Sequence, residues 1–296
     1  MLTHITLLVA LVALAAEPVP LTSRIHGLIA DHKGKVAVAC KHLGTQERID
    51  FDADTVMPTA SLIKFPIMVE AYAQAKEGKV KLDDMLTLQE ADKVQGSGIL
   101  NDHFSPGAKF SLRDAVRLMI AYSDNTATNM VLDKIGIKAV NERMTALGLK
   151  ETRINAKVFR GSTTSIDPER TKKFGLGSTT ANEMLKLFEM LHKGELVSAE
   201  ASKAMLEHLK KCDDKDKFTR FLPKAITVAH KTGSVSNART DAGILDFKQG
   251  PVVLVVLSND NEDKSWTPDN AGNKLCADIA KATVEYFCEL AAATKK

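Results

Sequence analysis

The feature that most constrains the fold of this chain is a hydrophobic pattern that changes twice along its length. Short apolar segments typical of β-strands occur near both ends, and a long segment with helical periodicity separates them. The strand-like segments are residues 24–52, which read as a β-hairpin around Lys35–Cys40, and residues 225–230, 242–247 and 251–258. The pattern predicts an α/β composite fold, in which both ends of the chain contribute to one antiparallel sheet flanked by helices.

The expected domain limits follow from the positions of these changes. Residues 22–58 and 192–296 are predicted to form a discontinuous α/β domain, and residues 59–191 an all-helical domain. Individual helices are predicted over residues 61–76, from residue 111, over 126–135 and over 271–290. A substrate pocket is expected in the groove between the two domains.

Composition and charge exclude several classes of protein. The 40 Lys and Arg and 37 Asp and Glu residues give a net charge of +3 and are spread along the chain, so no nucleic-acid partner is expected. A hydrophobic fraction of 44% in 296 residues is typical of a folded protein with a sizeable core. We therefore expect a globular monomer.

The N-terminal residues have the pattern of an export signal. The apolar run from Ile5 to Ala16 is too short to cross a bilayer, and Ala13 and Ala15 fit the small-x-small pattern that precedes signal cleavage. We expect residues 1–16 to be a signal peptide. The mature protein would then be periplasmic or secreted and would have no membrane span.

The four cysteines would lie in a compartment where disulfides persist, and they allow three full pairings that the sequence does not distinguish. They are Cys40, Cys212, Cys276 and Cys288. Their spacing matches no zinc pattern, and the eight histidines include no HExxH-like pair. Neither a metal nor another cofactor is expected.

The first candidate for chemistry is the Ser61-Leu-Ile-Lys64 segment at the start of a predicted helix. A separation of three residues places the Lys amine on the same helix face as the Ser hydroxyl. A serine hydroxyl becomes a useful nucleophile when a nearby base takes its proton. Alone, the pair also fits a capping serine and a surface lysine.

Two further short motifs lie at element boundaries. Ser123-Asp124-Asn125 falls between two predicted helices, where it is either an ordinary helix cap or a polar loop facing a cleft. Lys231-Thr232-Gly233 follows a strand and continues into Ser234. Strand alternation puts Lys231 and Gly233 on one face, where a cation would lie beside a gap open to substrate. An edge-strand lysine followed by a turn gives the same pattern.

Together and in this order, the three motifs are the signature of class A β-lactamases and penicillin-binding proteins. The chain resembles class A enzymes over essentially all of its expected mature length, and residues 123–129 read Ser-Asp-Asn-Thr-Ala-Thr-Asn as in that class. The resemblance implies a β-lactamase/transpeptidase-like fold. It also implies a serine hydrolase whose substrate is a small β-lactam or a cell-wall peptide-like molecule.

The resemblance assigns a role to each motif residue. Ser61 would be the acylated nucleophile, Lys64 its proton acceptor, and Ser123 the donor of a proton to the departing nitrogen. Asn125 would bind the substrate's side-chain amide, and Lys231 with Thr232 its carboxylate, beside Gly233. The backbone NH groups of Ser61 and Ser234 would form the oxyanion hole. The charge of Lys231 and partial burial would favour the neutral amine of Lys64.

The sequence departs from the family in the loop that should supply a water-activating glutamate. Aligned through Thr152-Arg153-Ile154, the expected Glu falls near Val158 and is missing. Glu169 is the glutamate of this loop that could replace it, although Asp167-Pro168-Glu169 also reads as the start of a turn. A serine hydrolase without this base would accumulate its acyl-enzyme.

Arg239 is the second departure. The family usually places an Arg after the Lys-Thr-Gly strand to help bind the carboxylate, and Arg239 lies nearby, in a hairpin that reads as longer. It would either make a bidentate contact with substrate or be a surface residue.

Three functions remain open from the sequence. The leading one is a class A β-lactamase that hydrolyses its Ser61 acyl-enzyme. The second is a penicillin-binding D,D-peptidase or esterase-like hydrolase with slow deacylation, and the third is a non-catalytic binding protein that retains the fold.

Overall fold

The structure is a computed structural model that describes residues 18–293. The proposed signal peptide, residues 1–16, lies outside the described residues. The helices are α1 Leu21–Ala30, α2 Lys64–Lys76, α3 Leu100–His103, α4 Leu112–Ala121, α5 Asn125–Ile135, α6 Ile137–Ala146, α7 Gly161–Thr164, α8 Pro168–Phe174, α9 Ala181–His192, α10 Ala199–Leu209 and α11 Ala271–Ala293. The strands are β1 Lys35–His42, β2 Arg48–Phe51, β3 Met57–Pro58, β4 Met85–Thr87, β5 Lys109–Ser111, β6 Arg153–Ile154, β7 Gly177–Thr179, β8 Thr227–Val235, β9 Ala238–Asp246 and β10 Val252–Asn259.

The main sheet confirms the predicted α/β composite fold. It has five antiparallel strands in the order β2-β1-β10-β9-β8, so both ends of the chain contribute to it. The central strand β10 is apolar and buried from Val252 to Leu257, because helices cover both faces of the sheet. Helices α1 and α11 pack on one face, and α9 packs on the other.

Helix α2 is the centre of the helical region. It is buried continuously from Lys64 to Gln74 and packs against α4, α5 and α6. A helix that is buried on all sides belongs in the middle of a bundle. In this position the start of α2 lies against the sheet. Two small sheets, β3-β7-β6 and β4-β5, also belong to this region. The exact domain limits stay a prediction.

One predicted element is wrong. Residues 24–30, assigned to the N-terminal hairpin, belong to helix α1, and the hairpin strands are β1 and β2. Leu21 and Ile25 are fully buried against the outer face of the sheet and Leu28 packs beside them, and spacings of four and then three residues are helical, because a strand would turn Leu28 to the opposite face. The strand-like composition of the segment was therefore misleading.

The four cysteines are free thiols, so none of the three possible pairings is present. Cys40, Cys212 and Cys276 are buried and Cys288 is half-buried. Among residues 18–293, no helix combines the length and apolar character needed to cross a membrane.

Candidate active site

Ser61 lies in a tight turn at the edge of the sheet. The predicted helix start at Ser61 is a 3-10 turn, Ala60–Ile63, and the α-helix proper begins at Lys64. Ala60 has a φ of 46°, in the left-handed region that costs an L-residue about 1 to 2 kcal/mol. The turn leaves Ser61 half-buried on the wall of a cleft, while Lys64 is fully buried.

The three motifs converge at the hydroxyl of Ser123. The Lys64 Nζ lies 3.2 Å from Ser123 Oγ, and the Lys231 Nζ lies 3.1 Å from the same atom. Lys64 also donates to the Ser123 carbonyl at 2.6 Å and to Asn125 Oδ1 at 2.8 Å. One hydroxyl thus bridges two lysine amines from distant parts of the chain.

Burial of the two amines controls their charge. Burial and the positive charge of Lys231 lower the pKa of Lys64 well below its usual 10.5, while Asp124 opposes this shift. Burial also lowers the pKa of Lys231. Because two like charges so close together repel, the neutral form of Lys64 is favoured while Lys231 keeps its proton.

The loop that carries Ser123 is fixed by Asp124. The Asp124 side chain is 1% exposed and caps α5 by accepting from the Ala127 NH at 2.8 Å. Its second oxygen accepts from the NH groups of Ile99 and Leu100 at 2.7 and 2.9 Å. Gly98 permits this approach, since a Cβ there would lie 2.4 Å from the Asp124 carboxyl carbon. The Ser123-Asp124-Asn125 motif is therefore both a helix cap, through Asp124, and a part of the cleft wall, through Ser123 and Asn125.

Replacing Asp124 by Ala should lower the free energy of unfolding by about 3 kcal/mol, because three buried NH groups lose their acceptor. Urea unfolding followed by circular dichroism measures the loss. Asp167→Ala is the matched control, since Asp167 caps α8 through a single bond to Arg170. Its cost should be about 1 kcal/mol, and equal losses for the two variants would contradict the account.

The third motif lies inside a strand rather than after one. In β8, Lys231 pairs with Ala242 and Gly233 with Thr240 of β9. A Cβ at Gly233 would lie 2.5 Å from the Thr59 carbonyl and 2.9 Å from the Leu62 nitrogen. Glycine is therefore required for the strand to lie against the Ser61 turn.

The cleft has a volume of about 450 Å³ and collects most of the predicted site residues. Those on its wall are Ser61, Ser123, Asn125, Thr232, Gly233 and Ser234, with Lys64 and Lys231 buried directly behind Ser123. Gly96 and Ser97 also line it, and Ser97 donates to the Ser123 carbonyl at 2.8 Å. Asn125 donates to the Gln95 carbonyl at 3.1 Å, so its amide is oriented before any ligand enters.

Val158 lines the same cleft as Ser61, at the position where the resemblance led us to expect a glutamate. Its backbone is clamped by Asn129, whose Oδ1 accepts from the Val158 NH at 2.9 Å and whose Nδ2 donates to the Val158 carbonyl at 3.1 Å. The neighbouring Phe159 and the more distant Trp266 add exposed aromatic surface to the rim. Sequence analysis missed both aromatics, because single exposed aromatic residues carry no pattern.

Glu169 is not brought into the cleft. It is exposed at the start of α8 and borders a separate depression with Arg170, Lys172, Lys173 and Phe174. Asp167 caps this helix, which agrees with the interpretation of the segment as the start of a turn. Glu169, two residues later, is exposed to solvent. The position of Glu169 therefore does not support a role as the water-activating base.

Arg239 is also turned away from the cleft. It is 1% exposed, and its guanidinium donates to the carbonyls of Val235, Ala238 and Ser265 and stacks on Trp266. The hairpin is shorter than expected, since two residues join β8 to β9 and Arg239 pairs with Ser234. Its donors serve the backbone, not a substrate carboxylate.

Two hydroxyls and two amines meet at one end of the cleft. Ser61 and Ser123 lie on the cleft wall, and the buried amines of Lys64, whose neutral form is favoured, and Lys231 lie behind Ser123. Within residues 18–293 no group of three or more His, Cys, Asp and Glu side chains is arranged to hold a metal ion.

The chain belongs to the beta-lactamase enzyme family, whose model matches residues 20–287. It is 25% identical over 260 residues to Beta-lactamase 3 of Bacillus cereus, covering 86% of this chain and 78% of that protein. The beta-lactamase from Sphaerobacter thermophilus is 28% identical with a TM-score of 0.79, covering 90% of this chain and 97% of that one. A leucine-to-glutamate mutant of PBP-A, seen as an acyl-enzyme complex with penicillin G, is 26% identical with a TM-score of 0.78 and covers 91% and 97%. The resemblance to class A serine β-lactamases is thereby confirmed at the level of family and fold.

Proposed function

We propose that this protein is a class A-type serine hydrolase that opens the β-lactam amide by acylating Ser61 and releases the acyl group slowly. The observation that carries the proposal is the bridge of Lys64, Ser123 and Lys231 at the edge of the Ser61 cleft. Membership of the beta-lactamase enzyme family supports β-lactams as the substrate class.

In the proposed acylation, Ser61 Oγ attacks the lactam carbonyl and Lys64 accepts the hydroxyl proton. The carbonyl–nitrogen bond then breaks, the departing nitrogen takes a proton from Ser123, and the protonated Lys64, 3.2 Å from Ser123 Oγ, returns a proton to that hydroxyl. The cation of Lys231 binds the substrate carboxylate with Thr232, and Asn125 binds the side-chain amide. The NH groups of Ser61 and Ser234 would stabilise the oxyanion, a contribution of about 3 kcal/mol for each donor.

Slow deacylation is supported by the groups that face the cleft. Val158 presents a hydrocarbon where hydrolysis of an ester requires a base to activate water. Among the described residues on the cleft wall, Asp214 supplies a carboxylate, but it forms an ion pair with Lys217 at 2.6 Å. The position of Glu169 offers no replacement.

A rapidly deacylating β-lactamase is the second candidate, and the family relatives named beta-lactamase favour it. Intact mass spectrometry over time after addition of benzylpenicillin separates the two. A lasting adduct on the peptide that contains Ser61 supports the proposal, and a rapid return to the free mass supports fast hydrolysis. Absence of any adduct and of any hydrolysis would favour a binding protein without catalysis.

The acylation rate should depend on pH as a bell-shaped curve. The rate should rise as Lys64 loses its proton, and because its pKa is lowered this limb should end well below pH 10.5. It should fall again where Lys231 becomes neutral and no longer binds a carboxylate. Stopped-flow acylation by a chromogenic cephalosporin measures the profile.

The Lys231→Arg variant tests the assignment of the two limbs. It keeps a cation that does not titrate in this range, so the falling limb should move to higher pH while the rising limb remains. A falling limb that does not move would contradict the role of Lys231.

A further inference from the structure

A second cavity, of about 320 Å³, adjoins the Ser61 cleft at the Ser123 loop. It shares Ser97, Ser123, Asp214 and Thr232 with that cleft, and Lys231 also lines it. Ser123, Lys231 and Thr232 have roles in the proposed acyl transfer, but that mechanism gives no role to the other residues of this cavity. Its wall includes the thiol-bearing residue Cys212.

Cys212 is held in place by the loop that follows α10. The Cys212 NH donates to the Leu209 carbonyl at 3.1 Å, and the next residue, Asp213, donates to the Ala121 carbonyl at 2.9 Å. This second bond ties the loop to the end of α4, one residue before Tyr122 and the Ser123 motif. Cys212 as a whole residue is 6% exposed, so access is restricted to small molecules that enter the cavity.

Behind Cys212 lies a buried pair formed by His230 and Asp241. The His230 Nδ1 lies 2.9 Å from Asp241 Oδ1, and the two side chains are 1% and 0% exposed. Asp241 also accepts from the Phe218 NH at 3.1 Å. The other ring nitrogen, Nε2, is buried without a hydrogen-bond partner of ordinary geometry in residues 18–293, and the Cys212 thiol interacts with the same ring.

The arrangement favours a thiolate–imidazolium pair. Burial lowers the pKa of His230, but the charges of Asp241 and Cys212 outweigh it and raise that pKa well above 6.5. Burial raises the pKa of the Cys212 thiol, but the positive charge and hydrogen bond of His230, followed by Lys231 and the Asp214 NH, outweigh it and bring the pKa to about 7. Of the other charged groups nearby, Lys217 is paired with Asp214, and Asp213, which also lines the cavity, lies 3.8 Å from Lys215.

The other thiols have the opposite environment. Burial raises the pKa of Cys40 to about 12, and burial also raises the pKa values of Cys276 and Cys288. Reactivity toward electrophiles follows the thiolate fraction, so Cys212 should differ from the other three near neutral pH.

We propose that Cys212 is a thiol-modification site, activated by His230 and Asp241 and reached by small neutral electrophiles through the second cavity. With methyl methanethiosulfonate as the probe, the Cys212 thiolate forms a disulfide bond to the methylthio sulfur. The bond from that sulfur to the sulfonyl group breaks, and methanesulfinate leaves with the electron pair. His230 keeps its proton throughout, and excess dithiothreitol reverses the step by thiol–disulfide exchange.

Modification should also weaken the acyl-transfer site. The Cys212 thiolate raises the pKa of Lys231 against the effect of burial, so loss of the thiolate removes support for the Lys231 cation. The added methylthio group would also fill space beside Lys231 and Ser123 in the cavity. This part of the inference rests on the proposed function, whereas the reactivity of the thiol does not.

The first test is peptide mapping after brief exposure of the whole protein to a small excess of the probe at pH 7. Cys212 should be labelled at least tenfold faster than Cys40, Cys276 and Cys288, with a rate that rises with pH through a midpoint near 7. Cys212→Ser should lose the fast label, and the matched control Cys288→Ser should keep it. Preferential labelling of any other cysteine, or a midpoint above about 8.5 as in a free thiol, would overturn the proposal.

His230→Gln gives a second measurement, because it removes the imidazolium and should move the labelling midpoint upward. The wild-type pH profile stands alone if this variant does not fold.

The coupling to Lys231 is tested with the same labelled protein. Acylation by benzylpenicillin should slow at least tenfold after labelling and recover with dithiothreitol, while Cys212→Ala should respond to neither reagent. Labelling at Cys212 with an unchanged acylation rate would overturn the coupling. If the unlabelled protein is never acylated, the proposed function fails, and the labelling result still decides the reactivity of Cys212.

Discussion

Replacement of Ser61 by Ala is expected to abolish the covalent adduct with benzylpenicillin completely. In the proposed mechanism the Ser61 hydroxyl is the nucleophile, and alanine leaves Lys64 without a proton to accept. Ser61 is half-buried in its turn, so the free energy of unfolding should change by about 0.5 kcal/mol or less. Intact mass spectrometry and thermal unfolding of the same sample measure the two quantities.

Ser105→Ala is the matched control for this experiment. Ser105 is exposed on a loop outside the cleft, and its variant should form the adduct at the normal rate. An adduct of unchanged mass and rate in Ser61→Ala would show that another group is acylated. That result would end the assignment of the nucleophile.

The second large effect is expected from Val158→Glu, which should increase the deacylation rate by about 10² to 10⁴-fold. Asn129 clamps the backbone of residue 158 through both its NH and its carbonyl, so the new side chain should keep the direction of the valine. A carboxylate there would border the same cleft as Ser61 and could activate water against the ester. The decay of the adduct after removal of free penicillin measures the rate.

Val158→Gln separates chemistry from loosening of the loop. It has nearly the same shape as the glutamate variant but no base, so its adduct should persist as in the unmodified protein. Equal acceleration by Gln and Glu would contradict general-base catalysis. Glu169→Gln should leave deacylation unchanged in every background, because Glu169 lies on a separate surface.

The wall around Val158 explains why the loop can lack a base and still be ordered. The Asn129 side chain forms the hydrogen bonds of the Val158 NH and carbonyl that a neighbouring backbone segment would otherwise form. Asn155 fixes the same loop by donating to the Gly175 carbonyl at 3.0 Å. These hydrogen bonds bind backbone groups, so they do not require a glutamate side chain at residue 158. The loop conformation and its catalytic group are therefore separable, which makes a single substitution at residue 158 an informative experiment.

Several parts of the site were predictable because they depend on short-range geometry. The position of Ser61 and Lys64 at a helix start could be read from local pattern, and the cap of α5 by Asp124 follows from a local side-chain bond, observed at 2.8 Å to the Ala127 NH. The sheet formed by both ends of the chain could be predicted, because strand alternation and continuous apolar runs depend only on the backbone period and on burial. Helix α1 was missed because it has no side-chain cap at its start, no acidic residue in its first turn and no basic residue in its last turn, whereas α4 and α5 each begin with a capping side chain.

Proximity in sequence was a poor guide where side-chain direction decides the role. Glu169 and Arg239 each lie close in sequence to site residues, but a cap at Asp167 exposes the first and three backbone carbonyls bind the second. The pairing of Cys212 with His230 had no sequence signal. A loop after α10 and a residue of β8 meet there only through packing.

The sequence by itself determined which residue types carry the chemistry and on which kinds of element they stand. Helical and strand periods are properties of the backbone, and they can be read from a few neighbouring residues. Only the tertiary structure decided that the Lys64 and Lys231 amines both reach Ser123, and that Val158 lines the cleft while Glu169 lies outside it. Those contacts join segments far apart along the chain, and they depend on how α2, the Ser123 loop and β8 pack around a shared core, which no local pattern specifies.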